Sequence, residues 1–584
     1  MNQFHAGRTR RAALAGGLAL AGAGAAAGRA MGGEGSGVQL YANGDILTME
    51  GDHPQMVEAL ATRDGRIVFA GPAAEAARRF PGAERIDLAG RTLLPGFIDG
   101  HSHIYMTGLM ALMANHYPPP DGPAVDFAEI VAGTRRWMET PDGRLMISRL
   151  GWVVGRGYDD AQLAERRHPT REVLDQISRD LPVMIIHQSG HLACVNTKAL
   201  EVAGLTRDTP DPPGGVIRRG PDGVPNGVLE EAAYVRLAFR VTGHTGADVQ
   251  GRILERAQEM YASTGYTTAQ DGRSTKDVTD ALAELAQAGA LKLDVVSYPD
   301  ITFNSGAVVP PWRSADRAYR AHYRIGGVKL SLDGSPQGKT AWLSAPYLEP
   351  PEGQKAGYLG YGSMPDAAAE HFVDLAFQNR WQLLVHANGD AAIDQLLRAV
   401  DKAIAAHGYP DHRTVLVHGQ TLRKDQIPEL KRLGMLPSLF PLHTYYWGDW
   451  HASSVLGSPR ADYISPCRDV LKAGLTLTSH HDAPVTLPDA LRVLDATVNR
   501  TTRSGRVLGP DQRLTPYEGL KTLTHWAAIQ YFEEADKGTL TVGKRADLVI
   551  LEKNPLKVPP ADLHRIAVVR TIKDGRTVYA KGSA

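Results

Sequence analysis

The sequence predicts an α/β protein: a (β/α)8 TIM barrel with a small composite β-sandwich domain from both termini and an inserted lid segment. Three observations lead to this prediction. Short apolar runs alternate with helical patterns through the middle of the chain, several of these runs lead into a histidine, and both ends are rich in strand patterns. With 584 residues the chain is too long for one ordinary domain, and a barrel with an accessory domain fits this length.

The amino-acid composition limits the classes of function and the kinds of site that the chain can have. Lys+Arg and Asp+Glu are both 64, so the net charge is about zero and gives no sign of nucleic-acid binding. A hydrophobic content of 43% supports a sizeable buried core. The cysteines are Cys194 and Cys467, which are too few for a disulfide framework or a CxxC zinc site. One disulfide between them has no positive support.

Residues 1–30 are interpreted as an export signal. Arg10-Arg11 precedes an apolar stretch rich in Ala and Gly at residues 12–27, which resembles a twin-arginine (Tat) signal. The alternative is a disordered or weakly helical tail. A transmembrane anchor is disfavoured because so many of these residues are Gly or Ala, and no later run is long and apolar enough to span a membrane. We therefore expect a periplasmic or extracellular protein without a stable membrane anchor.

Residues 38–94 and 538–584 are predicted to form the composite β-sandwich domain. Residues 45–49 and 66–70 are strand-like, and Asp64-Gly65 reads as a hairpin turn. Near the other end, residues 546–551 read as a strand, and residues 568–580 read as a hairpin that turns at Asp574-Gly575. One sheet region built from both termini follows from this pattern.

Residues 95–537 are predicted to form the barrel. Helical patterns such as residues 249–263 and 391–406 lie between many of its candidate strands. The stretch at residues 108–179 is too long for a simple connection and is predicted to be an inserted lid. The candidate strands number nine for eight places, so one is an edge or accessory strand: residues 94–98, 181–186, 266–269, 293–298, 327–332, 381–385, 414–417, 435–440 and 475–479.

Histidines follow several of these runs, at the strand ends where a barrel collects its functional residues. His101 and His103 are two residues apart, so on a strand their side chains face the same side and can hold one metal ion. The alternative, two solvated loop histidines, is disfavoured by the apolar run before them. His386 and His418 each end a later run. Either one alone could be a core histidine, but together they favour metal ligands.

Asp482 follows the last candidate strand. A carboxylate there can touch a metal ion and take a proton from attacking water, and the alternative is a turn or capping aspartate before Pro484. A shift of one residue in the register exchanges the two faces of a strand. The sequence therefore leaves open which of His480 and His481 faces the site.

Lys329 has two interpretations that both stay open. Beside a divalent cation it should be neutral, or carboxylated by carbon dioxide to give an anionic bridging ligand. Otherwise it is a structural lysine paired with Asp271 or Asp333. The nearby residues 334–340 are one residue too short for a phosphate-binding loop, and we reject that reading.

Five residues are candidates for substrate binding. His187 and His191 follow an apolar run, and a structural role is equally open for both. Tyr446 and Trp447 belong to an aromatic-rich loop that could line an apolar pocket, and the alternative is a loop that packs its own small core. His481 is the fifth candidate.

These motifs resemble the amidohydrolase superfamily, and within it the amidohydrolase-3 group of YtcJ-like proteins and N-substituted formamide deformylases. The resemblance spans residues 38–580 and is specific when the motifs are taken together. The matching stretches are LPGFIDGHSH at 94–103, GH at 190–191 with NTKAL at 196–200, residues 328–335, HANGD at 386–390, HGQ at 418–420, HHDAPV at 480–485 and GTLTVGKRADL at 538–548.

The resemblance implies a barrel with a composite β-domain and a divalent metal, most simply one or two zinc ions. It implies that Lys329 is carboxylated and that Asp482 is also the general base. Many members of the group have Gly-Ser-Asp at the last strand, whereas here Ser479-His480-His481 precedes Asp482. We expect that His480 or His481 enters the pocket and alters the substrate specificity. The metal ligands that the resemblance implies are His101, His103, Lys329, His386, His418 and Asp482.

We therefore expect a metal-dependent hydrolase that uses metal-activated water to cleave a C–N bond in an amide- or formamide-like, non-peptide small molecule. One alternative is an ester, lactone or phosphoester hydrolase on the same metal core, because a fold does not fix a function. Another is a non-catalytic exported metal-binding protein, which the complete ligand set argues against. The substrate, the number of metal ions and the oligomeric state are left open, with a homodimer as one option.

Overall fold

Strands and helices alternate along the computed structural model, which describes residues 37–190, 192–212, 215–242, 246–302, 317–351 and 354–582. The protein is therefore of the mixed α/β class. The export signal predicted at residues 1–30 lies outside the described residues, as does His191. Within the described ranges, no helix combines the length and the apolar character that crossing a membrane requires.

The strands are short and most are buried. In chain order they are β1 (Gln39–Leu47), β2 (Met56–Arg63), β3 (Arg66–Gly71), β4 (Glu84–Asp87), β5 (Thr92–Pro95), β6 (Phe97–Ile98), β7 (Ala114–Asn115), β8 (Val153–Tyr158), β9 (Val183–His187), β10 (Leu192–Val195), β11 (Gly215–Arg219), β12 (Pro225–Glu231), β13 (Tyr266–Ser274), β14 (Asp294–Pro299), β15 (Tyr323–Ile325), β16 (Gly327–Ser331), β17 (Gln382–Ala387), β18 (Val415–His418), β19 (Leu436–Leu439), β20 (Thr478–Ser479), β21 (Leu548–Leu551), β22 (Val568–Lys573) and β23 (Arg576–Ala580).

The helices lie between these strands. They are α1 (Ala73–Arg79), α2 (Ile104–Ala111), α3 (Phe127–Met138), α4 (Pro141–Leu150), α5 (Arg171–Leu174), α6 (Thr197–Ala203), α7 (Ala232–Thr242), α8 (Ala247–Ser263), α9 (Lys276–Gln287), α10 (Asp366–Gln378), α11 (Asp390–His407), α12 (Gln426–Arg432), α13 (Leu442–Trp450), α14 (Cys467–Lys472), α15 (Ala490–Asn499), α16 (Pro516–Thr522) and α17 (His525–Gln530). A π-helical turn follows α13 at His451–Val455, and short 3-10 helices lie at Ala461–Tyr463, Pro510–Gln512 and Pro560–Arg565.

Both ends of the described chain contribute to one sheet of eight strands. Its order is β23-β22-β21-β5-β1-β2-β3, with β4 paired to β1, and the antiparallel pair β5–β21 joins the two ends. Both predicted hairpins are present. Asp64-Gly65 joins β2 to β3 and Asp574-Gly575 joins β22 to β23, with the positive φ angles that such two-residue turns need. A separate sandwich domain made of these segments stays a prediction.

Two parallel sheets lie in the middle of the chain. One has the order β15-β14-β13-β6 and the other β16-β17-β18-β19-β20. Eight of the nine predicted strands overlap strands of these sheets, although β6 and β20 have only 2 residues each. The remaining candidate, residues 181–186, falls in β9 of a different sheet and is therefore the accessory strand.

The sheet that contains β9 has six strands in the order β11-β12-β10-β9-β8-β7. Its strands lie between residues 114 and 231, so the sheet continues past the end predicted for the lid. Two contacts join it to the loop after β20. The Tyr117 hydroxyl donates a hydrogen bond to Pro484 O, and Gln188 Nε2 donates to Val485 O at 3.3 Å. The six-stranded sheet therefore contacts the loop that directly follows the last parallel strand.

A buried ion cluster connects the eight-stranded sheet to β14. Lys573 on β22 lies 2.9 Å from carboxylate oxygens of both Asp294 on β14 and Asp547. Lys537 reaches the same Asp294 oxygen at 2.6 Å. Burial alone would raise the pKa of Asp294, but the two ammonium groups hold it well below its usual range. The cluster therefore ties the C-terminal hairpin to a strand of the parallel sheets.

Replacing Asp294 by Asn should destabilise the protein by about 3–5 kcal/mol, because two buried lysines lose their shared counter-charge. The contribution of Asp294 is present above the ordinary aspartate pKa of about 3.9 and is lost as the pH falls through its lowered pKa. Denaturant unfolding at pH 7 measures the loss. Asp401→Asn is the control, since Asp401 and Arg432 form an exposed pair worth at most about 1 kcal/mol. Equal stability of the two variants would contradict the prediction.

Candidate metal centre

Four parallel strands deliver the predicted site residues to one edge of the sheets. His386 lies near the end of β17 and His418 ends β18, while His101 closely follows β6 and Asp482 closely follows β20. Neighbouring strands are parallel, so these positions all lie at carboxyl ends. The local sequences therefore place the four side chains on the same side of the sheets.

His101, His103 and Asp482 form the centre of the cluster. The Nε2 atoms of His101 and His103 lie 3.5 and 3.3 Å from Asp482 Oδ1. One ligand atom from each of the three residues lies within 4.8 Å of the others, which is close enough for them to share a metal ion. His418 approaches the other carboxylate oxygen, with its Nε2 3.9 Å from Asp482 Oδ2.

His386 lies beside His418, and their ring centres are 4.5 Å apart. Its Nε2 lies 3.1 Å from the carbonyl oxygen of Gly334 and 3.5 Å from Asp333 Oδ1. The structure thus brings His386 to the edge of the cluster, next to a histidine that faces Asp482.

Lys329 reaches the cluster from β16. The residue is buried, and its Nζ lies 2.9 Å from His101 Nε2. Burial lowers the pKa of Lys329 to about 7, although Asp482 opposes the shift. In the described chain its side chain contacts His101 and not Asp271 or Asp333, the partners that a purely structural role would have given it. Lys329 is therefore an amine that is readily neutral beside His101.

The donor set suits a divalent cation. Burial and then neighbouring positive charges hold the pKa values of His101 and His418 well below the usual range, so both rings are neutral at pH 7. Neutral imidazole nitrogens and carboxylate oxygens are the ligands that zinc and similar ions prefer. Asp482 Oδ1 is buried, and none of the described residues gives it a hydrogen bond. A bound cation would satisfy this oxygen.

Gln270 orients His101. The ring Nδ1 lies 2.5 Å from Gln270 Oε1, and because an amide oxygen only accepts, Nδ1 carries the proton and Nε2 keeps its lone pair for a metal. Gln270 Nε2 in turn donates to the Tyr531 hydroxyl at 2.6 Å. Sequence reasoning missed Gln270, although its position directly after the predicted strand at residues 266–269 was a usable signal.

The structure separates His480 from His481, whose roles the sequence left open. His480 is buried between two partners: its Nε2 lies 3.0 Å from His418 Nδ1, and its Nδ1 lies 2.9 Å from the Ser438 hydroxyl. It thereby fixes the ring of His418. His481 is turned towards Asp99, with Nε2 3.4 Å from Asp99 Oδ1. The structure does not bring His481 to the cluster, and its role in substrate binding stays a prediction.

Two cluster residues have unusual backbone angles. His418 and Asp482 have φ angles of 73° and 52°, in the left-handed region that residues other than glycine rarely adopt. Each such residue costs about 1–3 kcal/mol and persists when its surroundings hold it. Asp482 N donates to His101 O at 3.2 Å, and His103 N donates to Ala483 O at 2.8 Å. The two ligand-bearing segments are therefore locked together through their backbones.

His187 belongs to a second group with Asp159 and Asp160, whose ligand atoms also lie within 4.8 Å of one another. Ser189 N donates to His187 Nδ1 at 3.1 Å, so in the neutral ring Nε2 carries the proton, and it faces Asp160 Oδ1 at 3.1 Å. A protonated nitrogen does not bind a metal ion, so we interpret this group as a hydrogen-bonded pair with a neighbouring carboxylate. Substrate binding by His187 stays a prediction, and His191 lies outside the described residues.

Tyr446 and Trp447 are both buried on α13. The Tyr446 hydroxyl donates to Asp121, and the ring centre of Trp447 lies 4.7 Å from that of His443. These contacts show how both aromatic residues are held. Their contact with substrate stays a prediction.

Comparison with known proteins adds to this geometry. Residues 84–579 match the model of a family described as the amidohydrolase family. The chain is 25% identical over 561 residues to YtcJ of Bacillus subtilis (strain 168), covering 93% of this chain and 99% of that protein. It is 25% identical over 553 residues to the N-substituted formamide deformylase of Arthrobacter pascens, covering 92% and 98%. The crystal structure of an uncharacterized metal-dependent hydrolase from Pyrococcus furiosus has a TM-score of 0.69 and 26% identity, covering 89% of this chain and 100% of that one.

The fold and the site define a metal-dependent hydrolase, and His101, His103 and Asp482 are its candidate metal-binding residues. The chain belongs to the amidohydrolase family, because the family model matches most of its length. The resemblance to the amidohydrolase-3 group that the motifs predicted is thereby confirmed.

Replacing His103 by Asn should weaken the binding of divalent metal by at least about 10–100-fold, since that loss is typical even of residues that only support a ligand. Elemental analysis and chelator competition measure the change. His412→Asn is the control, because His412 is a buried histidine that contacts Thr414 Oγ1 and Leu433 O, outside the cluster. Equal metal affinities of the two variants would remove His103 from the ligand set.

Proposed function

We propose that this protein hydrolyses a C–N bond in an amide- or formamide-like, non-peptide small molecule. The observation that carries the proposal is the Asp482 carboxylate, whose Oδ1 is buried, receives no hydrogen bond from the described residues and faces His101 and His103. A carboxylate in this state can take a proton from attacking water, which amide hydrolysis requires. Similarity over almost the whole chain to an N-substituted formamide deformylase supports an amide or formamide as the substrate.

The two parallel sheets are, in this proposal, the parts of one (β/α)8 barrel. β15 and β16 are separated by a single residue and count as one strand, so the two sheets supply the eight positions that a barrel needs. A parallel bridge between Asp300 and Lys329 supports closure between β14 and β16. The hydrogen bond from His103 N to Ala483 O supports closure between the segments after β6 and β20.

Zinc or a similar divalent ion, as one or two ions, is the proposed cofactor. When bound, such an ion polarises the substrate carbonyl and lowers the pKa of water. The Asp482 carboxylate accepts the proton of the attacking water and passes it to the leaving nitrogen. His480 and Gln270 hold the rings of His418 and His101 in place during this transfer. The residues proposed to hold the metal are His101, His103, Lys329, His386, His418 and Asp482.

Replacing Asp482 by Asn should lower kcat by about 10²–10⁴-fold and largely spare the metal content, because the amide keeps an oxygen in the site but cannot accept the proton. The assay follows product release from an aryl formamide, with elemental analysis of the same samples. Asp401→Asn, on an exposed salt bridge, is the control and should keep full activity. Turnover retained by the D482N protein would remove Asp482 as the base.

The same assay, extended to a matched ester, a lactone and a phosphoester, tests the choice of bond. Turnover of the formamide supports the proposal. Turnover of only the other compounds would replace the amide by that class on the same metal core. No turnover of any of them by metal-loaded wild-type protein would instead support a metal-binding protein without catalysis.

We further propose that Lys329 is carboxylated and bridges two ions. Lys329→Met should then lower the metal content from about two ions to about one or fewer per chain, because an anionic bridge holds both ions. Elemental analysis after purification in bicarbonate buffer measures this. Lys521→Met is the control, since Lys521 is also buried but donates to Gly51 O at 2.7 Å. An unchanged metal content in the K329M protein would make Lys329 a structural residue.

A further inference from the structure

Arg503 is a cation that forms no ion pair within hydrogen-bonding distance among the described residues. Its Nε and Nη2 atoms are buried, and across the described ranges they have no hydrogen-bond partner and form no ion pair. The guanidinium lies instead over two aromatic rings, 5.0 Å from the ring centre of Tyr446 and 5.8 Å from that of Tyr445. Buried donors that make no hydrogen bond are costly, so this arrangement calls for an acceptor that the described residues do not supply.

The other two arginines of the same loop are satisfied. Arg506 pairs with Asp462 at 2.9 Å. Arg500 is buried like the guanidinium of Arg503, but it donates to three backbone carbonyl oxygens, those of Leu508, Ile464 and Ser465. Buried guanidinium nitrogens without a hydrogen-bond partner are therefore particular to Arg503 among these three arginines.

The loop that carries Arg503 is held against α13. Thr502 Oγ1 and Ser504 Oγ donate to Asp449 Oδ1 at 2.9 and 2.7 Å, so the residues on both sides of Arg503 are fixed. The guanidinium is therefore positioned in advance, which lowers the entropy that binding a ligand would cost. Arg503 as a whole is only partly buried, so part of its side chain is open to solvent.

This loop lies on the same side of the sheets as the metal cluster. The helix α13 begins directly after β19, at the strand ends where the cluster lies. Phe440, between β19 and α13, stacks on His480 at 4.8 Å between ring centres and contacts the ring of His443 on α13 at 4.7 Å. A series of ring contacts therefore connects His480, which holds His418, to the helix that carries Tyr445 and Tyr446.

Two buried acidic residues, Asp121 and Asp159, lie within electrostatic reach of Arg503. Asp121 accepts a hydrogen bond from the Tyr446 hydroxyl, and burial raises its pKa although Arg503 opposes the shift. Burial also raises the pKa of Asp159, whose Oδ1 accepts from Ala161 N at 3.0 Å. Asp159 Oδ2 is buried without a partner among the described residues, so Asp159 is the competing partner that an experiment must exclude.

We propose that Arg503 binds a carboxylate on the substrate, while the partly exposed ring of Tyr445 contacts the flat group that bears it. The planar guanidinium offers parallel N–H donors that match the two oxygens of a carboxylate. This inference rests on the proposed function, because it places the anion on the amide cleaved at the metal centre. The substrate class becomes an amide or formamide of a small, flat amine that carries a carboxylate.

Calorimetric binding of benzoate and of benzamide, its neutral isostere, to metal-loaded protein tests Arg503 without requiring turnover. Wild type should bind benzoate more tightly than benzamide, and Arg503→Gln should reduce that ratio by about 10–100-fold, the loss typical of a charge-assisted hydrogen-bonded pair. Arg503→Lys keeps the positive charge but not the parallel N–H donors, so its affinity ratio should lie between those of wild type and R503Q. The matched control Arg506→Gln should keep the wild-type ratio, since Arg506 already has its own carboxylate partner.

A wild-type protein that binds the two compounds equally would overturn the proposal. So would an R503Q protein that keeps the wild-type ratio but melts at a lower temperature, which is the behaviour of an Arg503–Asp159 pair. Melting curves of every variant show whether it is folded, and R503K carries the test if R503Q does not fold.

Hydrolysis of 4-formamidobenzoate and 4-formamidobenzamide separates this inference from the proposed function. We expect wild type to prefer the carboxylate in kcat/KM by about 10–100-fold and R503Q to lose that preference. Equal hydrolysis of both compounds by wild type would leave the proposed function intact but reject the inference that Arg503 binds a substrate carboxylate. Hydrolysis of neither, with benzoate binding that still depends on Arg503, would reject the formamide function and keep an anion site.

Discussion

The contact of the Asp482 carboxylate with His101 and His103 is the constraint on which the rest of the site depends. It brings together residues that follow the first and the last of the parallel strands, and backbone hydrogen bonds between the same two segments hold it. The two intervening histidines of the later strands need only extend from neighbouring strands to reach the same point. The cluster is therefore a property of how the sheets are assembled, and no single segment could form it alone.

Burial gives this cluster its chemistry. Taking the side chains out of water keeps the rings of His101 and His418 neutral and makes the amine of Lys329 easy to deprotonate. The same low-dielectric surroundings make an unsatisfied carboxylate oxygen costly and a bound cation favourable. Hydrogen bonds of the His101 and His418 rings with Gln270 and His480 then determine which ring nitrogen stays available. Desolvation and orientation thus act together on the same few atoms.

The sequence indicated that His386 and His418 lie at strand ends, because an apolar run before a histidine is typical of a buried strand, although the same pattern at His187 belongs to another sheet. It could not show that residues 181–186 belong to another sheet, since a strand buried on both faces has the same continuous apolar sequence pattern in either sheet. The two-residue length of β20 left the register of His480 and His481 undetermined. Arg503 was beyond sequence reasoning, because the lack of a hydrogen-bond partner for its buried Nε and Nη2 among the described residues is a property of its three-dimensional surroundings.

The pairing of β5 with β21 and the ion cluster around Asp294 have a consequence for the order of assembly. Both depend on residues that leave the ribosome after every proposed metal ligand has been synthesised. The parallel strands with their histidines can therefore emerge and begin to associate well before the last hairpin exists. Completion of the sheet that joins the two ends is then a late event in biosynthesis. A nascent chain that has not yet reached this stage carries all the proposed ligands but lacks the strand pairing and the ion cluster that hold the two ends together.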